Sequence, residues 1–421
     1  MTRAHNWADN YTFSAACIHR PASADEVRRV VAQSSRIRAI GARHSFNGIA
    51  DSPGDLIDLS GMDPGFFIDP ERRTVTVGAG TNYGVLASYL HHAGWALHNM
   101  ASLPHVSVAG AIATGTHGSG DRLGNLATAV AALDLVSATG DLVTIRRGDP
   151  GFDGAVVALG ALGIVTRVTL DIQPEFEMRQ DTFEGLPWTT VLSDFDAVMS
   201  AGYSVSLLTS WSGPTVTRLW IKTRLVDGAP ETVAAAHLGA TPAGQPWTSA
   251  TPEAMQQLMQ QLNPVGSPGW WFERLPHFRS GAKPGPAGHL QSEYMVPRTL
   301  VTLAIAKLRV IGDRIDGHLL ATEIRSMTGD RLWLSPAYGD DYVGIHFSWQ
   351  RKPDAVQAMT AEIEALLLPL GARPHWGKII HARAAQLAPL YPKLPAFREL
   401  ARSYDPGGKF RNEFLDVHVF G

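Results

Sequence analysis

Short stretches with the two-residue period of a half-buried strand run through the first third of the chain, broken by a few runs of helical period. Ile37 to Ile40, Asp55 to Leu59 and Thr74 to Val77 read as strands, the last with clear alternation. Ser23 followed three residues later by Glu26 is a capping box, and Val27, Val30 and Val31 form the apolar face of the helix it opens. Asn82 to Gly94 reads as a second helix, with Val85, Leu86, Tyr89 and Leu90 on its buried side. Ala127 to Val136 and Leu142 to Arg146 flank the turn signal Ala138-Thr-Gly-Asp141 and predict a hairpin. A glycine turn then feeds a long strand, the whole running from Leu159 to Ile172.

Pro174 marks a change of character. Beyond it, tryptophans and strand-like runs such as Val216 to Leu225 predict a mainly antiparallel sheet. Gly239 to Gly269 reads as loop with one short helix around Met255 to Leu262, and Ser280 to Gly288 as a second loose segment before a strand over Leu290 to Met295. Helices are predicted over Thr299 to Arg314 and Pro353 to Leu370. There is no internal repeat. The expectation is an α+β chain with a first domain over residues 1–173 and a second, its sheet flanked by helices, over 174–371.

Composition narrows the function classes. With 36 basic and 39 acidic residues and a net charge of -3, the chain has no field to gather nucleic acid. A hydrophobic content of 45% against 18% charged residues excludes global disorder. No apolar run approaches about 18 residues, so no membrane helix is expected. The first residues lack a charged-then-apolar leader, and the expected location is the cytoplasm, as a monomer. Cys17 is the only cysteine, which removes intrachain disulfides and CxxC metal sites; with no HExxH either, no metal is expected. Gly377-Lys378 and Gly408-Lys409 are followed by Ile and Phe, not Ser or Thr, so neither is a P-loop. Gly78-Ala-Gly80 is followed by Gly84, one position late for a nicotinamide fingerprint.

Two runs carry the candidate chemistry of the first domain. In Arg36-Ile-Arg-Ala-Ile-Gly-Ala-Arg-His-Ser-Phe-Asn47 a strand enters a turn where Gly41 lets the backbone approach a phosphate and Ala42 to Ser45 aim successive N–H groups into the bend. His44 at its tip is a nucleophile, a ligand or plain surface. The second run, Ser102 to Gly120, is small throughout and offers hydroxyls at Ser107, Thr114, Thr116 and Ser119. Together the runs resemble the paired FAD loops of vanillyl-alcohol-oxidase-type flavoproteins. That resemblance implies a PCMH-type FAD-binding domain, with cofactor contacts from Ala39, Ile40, Gly41, Ala42, Arg43, His44, Ser45, Ser102, Ser107, Gly110, Thr114, Gly115, Thr116 and His117. It also implies that His44 carries the flavin 8α-methyl covalently, by histidine only since the second run has no cysteine. It makes Ile164, beside the glycine turn, a candidate contact as well as a core residue. Finally, Ser403 to Phe414 resembles the family's C-terminal segment, which implies that residues 372–421 fold back onto the first domain.

Three segments of the second half add polar residues. Glu323 and Arg325 share a strand face, as do His346 and Ser348, and Lys378 projects from the constrained turn Arg373-Pro-His-Trp-Gly-Lys378. With the two loops, this set is similar to the alditol oxidases, over almost the whole chain. The similarity implies substrate contacts from Ser102, Glu323, Arg325, Ser348 and Lys378, and His375 near the isoalloxazine; Ser348 stands where threonine is expected. It implies oxidation of the C1 primary hydroxyl of polyols such as xylitol and sorbitol to the aldose, by hydride transfer to flavin N5, with O2 reduced to H2O2. A cationic pair of Lys378 and Arg325 would favour the developing alkoxide, and a desolvated Lys378 would accept its proton, with His346 as the alternative base. An aldonolactone (gulonolactone- or galactonolactone-type) oxidase or dehydrogenase of the same fold is the competing reading.

Overall fold

The computed structural model describes residues 4–230, 238–243, 261–279 and 289–421. The segment expected to be loose, 280–288, and all but two residues of the helix expected around Met255 to Leu262 lie outside the described residues.

Three short strands, β1 (Cys17–His19), β2 (Ile37–Ile40) and β3 (Asp55–Asp58), form a parallel sheet in the order β1-β3-β2. Helix α1 (Ala24–Gln33) connects the first two and buries Val27 and Val31. Ser23 caps it as the pattern predicts, but the Glu26 carboxylate bonds back to the N–H of Ala22 rather than of Ser23. A second sheet follows from β4 (Phe67–Asp69), β5 (Thr74–Gly78), β6 (Val130–Val136), β7 (Leu142–Arg146) and β8 (Ile164–Asp171). It is antiparallel throughout, in the order β4-β5-β8-β6-β7, and β6 with β7 is the expected hairpin. Helix α2 (Tyr83–His92) is capped by Asn82. Its phase differs from the expectation: Tyr83, Leu86, Ala87 and Leu90 are buried, while Val85 and Tyr89 are 47% and 36% exposed. The spacing i, i+3, i+4, i+7 is kept, with small Ala87 facing the core where the larger Val85 was expected.

The second half is organised on one large sheet: β9 (Glu177–Glu184), β10 (Ser204–Thr209), β11 (Arg218–Val226), β12 (Leu290–Pro297), β13 (Leu319–Met327), β14 (Tyr342–Trp349) and the short β15 (Arg373–Pro374). Their order is β9-β11-β10-β13-β14-β12-β15, each pair antiparallel. Alternation along each strand splits the sheet into two faces. Val205, Leu207, Leu219, Ile221, Ile324 and Ile345 share one apolar core with helices α4 (Val301–Val310) and α5 (Pro353–Leu367). The intervening positions, including Lys222, Glu323, Arg325, His346 and Glu293, are polar. The helix expected to reach Arg314 breaks after Val310 and resumes at Gly312, where a Cβ would lie 2.9 Å from the Trp211 carbonyl. Here α3 denotes Val108–Ala113, in the second glycine-rich run.

The C-terminal segment reaches the first sheet. Ile37 N–H donates to Lys409 O at 3.1 Å, Lys409 Nζ to Val31 O at 2.6 Å, and Phe410 is buried among Val27, Val31, Ile37 and Ile57. Asn412 donates to the carbonyls of Gly48, Ile49 and Asp51 at 3.0, 3.2 and 2.8 Å, and accepts from Leu415 N–H. No helix among the described residues is long and apolar enough to cross a membrane. Asn412→Ala strands those carbonyls under a buried segment and is expected to cost about 1–3 kcal/mol; the urea midpoint of unfolding should fall with the slope unchanged.

Candidate active site

The two glycine-rich runs and the polar face of the large sheet enclose a cavity of about 1130 Å³. Every cofactor candidate read from the sequence lines it except two. Gly115, with φ of +65°, turns toward Pro336, where a Cβ would lie at 2.7 Å. Ile164 is 1% exposed in the core with Val27, Val31 and Ile57, and its neighbours Gly163 and Val165 line the cavity instead. The pleat of β8 turns alternate side chains to opposite faces, which assigns Ile164 to the core.

The first loop divides its turn between two residues. The left-handed residue is Arg43, at φ +56°, whereas Gly41 is needed for close approach: a Cβ there would lie 2.1 Å from Ser107 Oγ. A Cβ at Gly110 would meet the same oxygen at 2.6 Å. Trp7 N–H donates to Arg43 O at 2.8 Å, and its indole stacks on His44 with ring centroids 4.1 Å apart. Burial, helped by His105, lowers the His44 pKa to about 3, so its imidazole is neutral. Its Nε2 is buried without a hydrogen-bond partner among the described residues. A cradle that side chains at two glycines would block, and a neutral imidazole with an unpaired nitrogen, fit a flavin dinucleotide held at this loop. The loop is tied to the lysine turn: Phe46 N–H donates to Gly377 O at 2.8 Å, and Asn47 Nδ2 to the carbonyls of Trp376 and Lys378 at 2.9 and 2.7 Å. His375 accepts from Gly377 N–H at Nδ1, and burial lowers its pKa to about 3.

Ser102, Glu323, Arg325, His346, Ser348 and Lys378 all line the cavity and form one network. At its centre is Glu293, which the sequence reading missed. Lys378 Nζ lies 2.6 Å from Glu293 Oε2, while Arg325 NH2 and His117 Nε2 lie 2.8 and 3.0 Å from Oε1. Burial alone would raise the Glu293 pKa, but Lys378, His117 and Arg325 together hold it well below the carboxylate range. The expected cationic pair of Lys378 and Arg325 is therefore bridged by an anion. Burial lowers the Lys378 pKa, with Glu293 opposing the shift. Lys378 also donates to His346 Nδ1 at 2.8 Å, so His346 carries its proton on Nε2, 3.1 Å from Ser348 Oγ. Burial and then Lys378 push His346 well below its usual pKa, leaving it neutral. Arg325 NH1 donates to Ser102 Oγ at 3.2 Å and links the FAD-side loop to the sheet.

Glu323 is buried, not the exposed cross-strand charge a lone pair of this kind suggests. His277 Nε2 lies 2.6 Å from its Oε1 and Arg325 Nε 3.7 Å from its Oε2. Gln291 and Glu293 stand two apart on β12, so the face argument used for Glu323 and Arg325 would have found them; both line the cavity. His277 gave no such signal. Far from this network, Cys17, His19 and Asp55 bring ligand atoms within 4.8 Å of one another at the surface, and none of them lines the cavity.

A helix-backed antiparallel sheet closing on an α+β dinucleotide cradle defines the class: a two-domain FAD-linked oxidase of the vanillyl-alcohol-oxidase type. Residues 15–146 match the family described as FAD binding domain, and residues 288–418 that described as D-arabinono-1,4-lactone oxidase. An alditol oxidase from a Streptomyces species is 44% identical over 418 residues, covering 98% of each chain. The chain belongs to the alditol oxidase family. The L-gulono-1,4-lactone dehydrogenase of Mycobacterium tuberculosis is 28% identical over 97% of both chains, and the L-gulonolactone oxidase of Bos taurus 26% identical over 98% of this chain and 97% of its own. Cholesterol oxidase from Brevibacterium sterolicum shares the fold, with a TM-score of 0.79 over 99% of this chain and 96% of that one at 16% identity.

Because Glu293 has a folded-state pKa below its unfolded value of about 4.3, its stabilisation is present above that pH and is lost as the pH falls through the folded-state value. Glu293→Gln, which leaves Lys378 and Arg325 without their shared anion, is expected to cost about 3–5 kcal/mol near neutral pH. Urea titrations at a series of pH values should show wild type and variant converging on acidification below about pH 4.

Proposed function

We propose that this protein is an FAD-dependent alditol oxidase that converts the C1 primary hydroxyl of polyols such as xylitol and sorbitol to the aldehyde level, with O2 as electron acceptor and H2O2 as product. The observation that carries the reading is the convergence of Ser102, Glu323, Arg325, Ser348 and Lys378 on one stretch of cavity wall. The 44% identity to an alditol oxidase over nearly the whole chain supports the same substrate class.

When bound, FAD would supply the hydride acceptor and the route by which the electron pair reaches oxygen. His44 is its covalent anchor in this reading, supported by the buried neutral imidazole, the unpaired Nε2 and the indole stacked against it. The protein's own residues manage the proton. Lys378 Nζ and His346 Nδ1, 2.8 Å apart, form a coupled pair, so the hydroxyl proton enters a shared site rather than one residue. Arg325 and Lys378 favour the developing alkoxide, while Glu293 keeps both in place and tempers their charge. Glu323, held ionised against burial by Arg325 and His277, accepts hydrogen bonds from the polyol hydroxyls.

Oxidation of an aldonolactone is the second reading, favoured by one observation: the match to the D-arabinono-1,4-lactone oxidase family spans Glu293, Glu323, Arg325, His346 and Lys378. Peroxide release from xylitol with an aldonolactone run beside it separates the two. Rapid peroxide from xylitol alone is expected; activity on the lactone alone would move the assignment. Bleaching of the flavin by xylitol without peroxide would make the enzyme a polyol dehydrogenase.

Lys378→Met is expected to stay yellow while stopped-flow flavin reduction by xylitol slows by about 10²–10⁴-fold. Flavin should remain with wild-type protein after acid precipitation and appear in the supernatant of His44→Ala; free flavin from wild type would refute the covalent bond.

A further inference from the structure

One buried lysine takes no part in the chemistry above. Lys222 on β11 is 1% exposed and does not line the cavity. Its Nζ donates to Leu275 O at 2.5 Å and Pro276 O at 3.3 Å, and lies 3.1 Å from His277 Nδ1. Glu323 is held ionised by Arg325 and His277 and so only accepts, which puts the imidazole proton on Nε2 and makes Nδ1 the acceptor from Lys222. That proton points at Glu323 Oε1, 2.6 Å away. The histidine is fixed on two further sides. Its N–H donates to Ser102 O at 3.1 Å, and Trp220 packs edge-on against its ring with centroids 4.9 Å apart.

The strand order gives this relay a direction. Lys222 on β11 is separated from Glu323 on β13 by β10 alone, whereas His346 on β14, Glu293 on β12 and Lys378 beyond β15 lie on the opposite side of β13. A chain of carbons whose C1 hydroxyl meets Lys378 and His346 therefore runs across Glu323 toward His277. We propose, resting on the polyol reading above, that His277 is a positioning residue that fixes Glu323 for the hydroxyls remote from C1, so that it sets the preference for long polyols over short ones. Held in one tautomer between Lys222 and Glu323, it occupies Oε1 of Glu323 and leaves the carboxylate one defined orientation toward the substrate. Loss of the donor frees Glu323 to turn toward Arg325 and leaves remote hydroxyls without a fixed acceptor.

The test is steady-state peroxide release from xylitol and from glycerol, whose three carbons are too few to span the same row of residues. His277→Phe keeps a ring against Trp220 and removes both nitrogens. It is expected to raise KM for xylitol by about tenfold or more, the worth of one charge-assisted hydrogen bond, with kcat within about threefold and KM for glycerol within about threefold. His277→Gln, which restores a donor, should bring KM for xylitol back to within about threefold of wild type, and both variants should retain the wild-type bound-flavin spectrum. Equal rises in KM for xylitol and glycerol, a fall in kcat without change in KM, or failure of the glutamine variant to rescue would each overturn the assignment while leaving the polyol reading intact. Wild-type protein that neither releases peroxide nor has its flavin bleached with either polyol would overturn both.

Discussion

Burying a carboxylate with almost no access to water is feasible only if cations accompany it, and Glu293 at 1% exposure has Lys378, Arg325 and His117 around its two oxygens. Those partners come from three parts of the chain: the turn after β15, strand β13 and the second glycine-rich run. Their convergence on one carboxylate fastens the FAD-side loops to the sheet. Gly344 makes the convergence possible. A Cβ there would lie 3.0 Å from His117 Cε1 and 3.2 Å from Glu293 Oε1, so a larger residue would fit only if these two groups gave by a few tenths of an ångström. The ladder does the rest: His346 lies directly opposite Glu323 on one side and Glu293 on the other. A slip of one residue in either pairing would exchange the polar face for the apolar one.

The parts of this arrangement that are local in sequence were legible. Period-two spacing put Glu323 with Arg325 and His346 with Ser348 on common faces, and the loop compositions marked the lining around Gly41 and Ser107. What was hidden depends on contacts between distant residues. Lys222 is the first lysine of the sequence, and nothing near it announces His277, 55 positions away, as its partner. Glu293 sits in Gln-Ser-Glu-Tyr-Met, where the two-residue period pairs it with Gln291 but nothing local marks it as the shared partner of Lys378, Arg325 and His117. The errors have the same origin. Ile164 and Val165 differ only in which face the strand's register turns to the cavity. In the first loop Gly41 serves close approach, as its composition indicates, and what no glycine announces is the left-handed turn at Arg43.

The two sides of the cavity manage burial in opposite ways. Around the flavin loop, His44 and His375 are stripped of charge by burial, each with a pKa lowered to about 3, and neither has a carboxylate at hydrogen-bond distance among the described residues. Across the sheet, burial is answered by pairing, and Glu293 and Glu323 stay ionised because cations meet them at hydrogen-bond distance or close to it. For a nucleophilic imidazole the neutral form is the useful one, so desolvation suits the covalent role proposed for His44. On the polyol reading the paired half is suited to its ligand for a related reason. An uncharged substrate gains nothing from a net field, and a bare Lys378–Arg325 pair would concentrate small anions instead. Bridging the two cations with Glu293 removes that attraction while leaving fixed N–H donors and carboxylate acceptors at the cavity wall. Discrimination then rests on where each hydroxyl finds a partner, which makes the residues that orient those partners as decisive as the ones that touch the substrate.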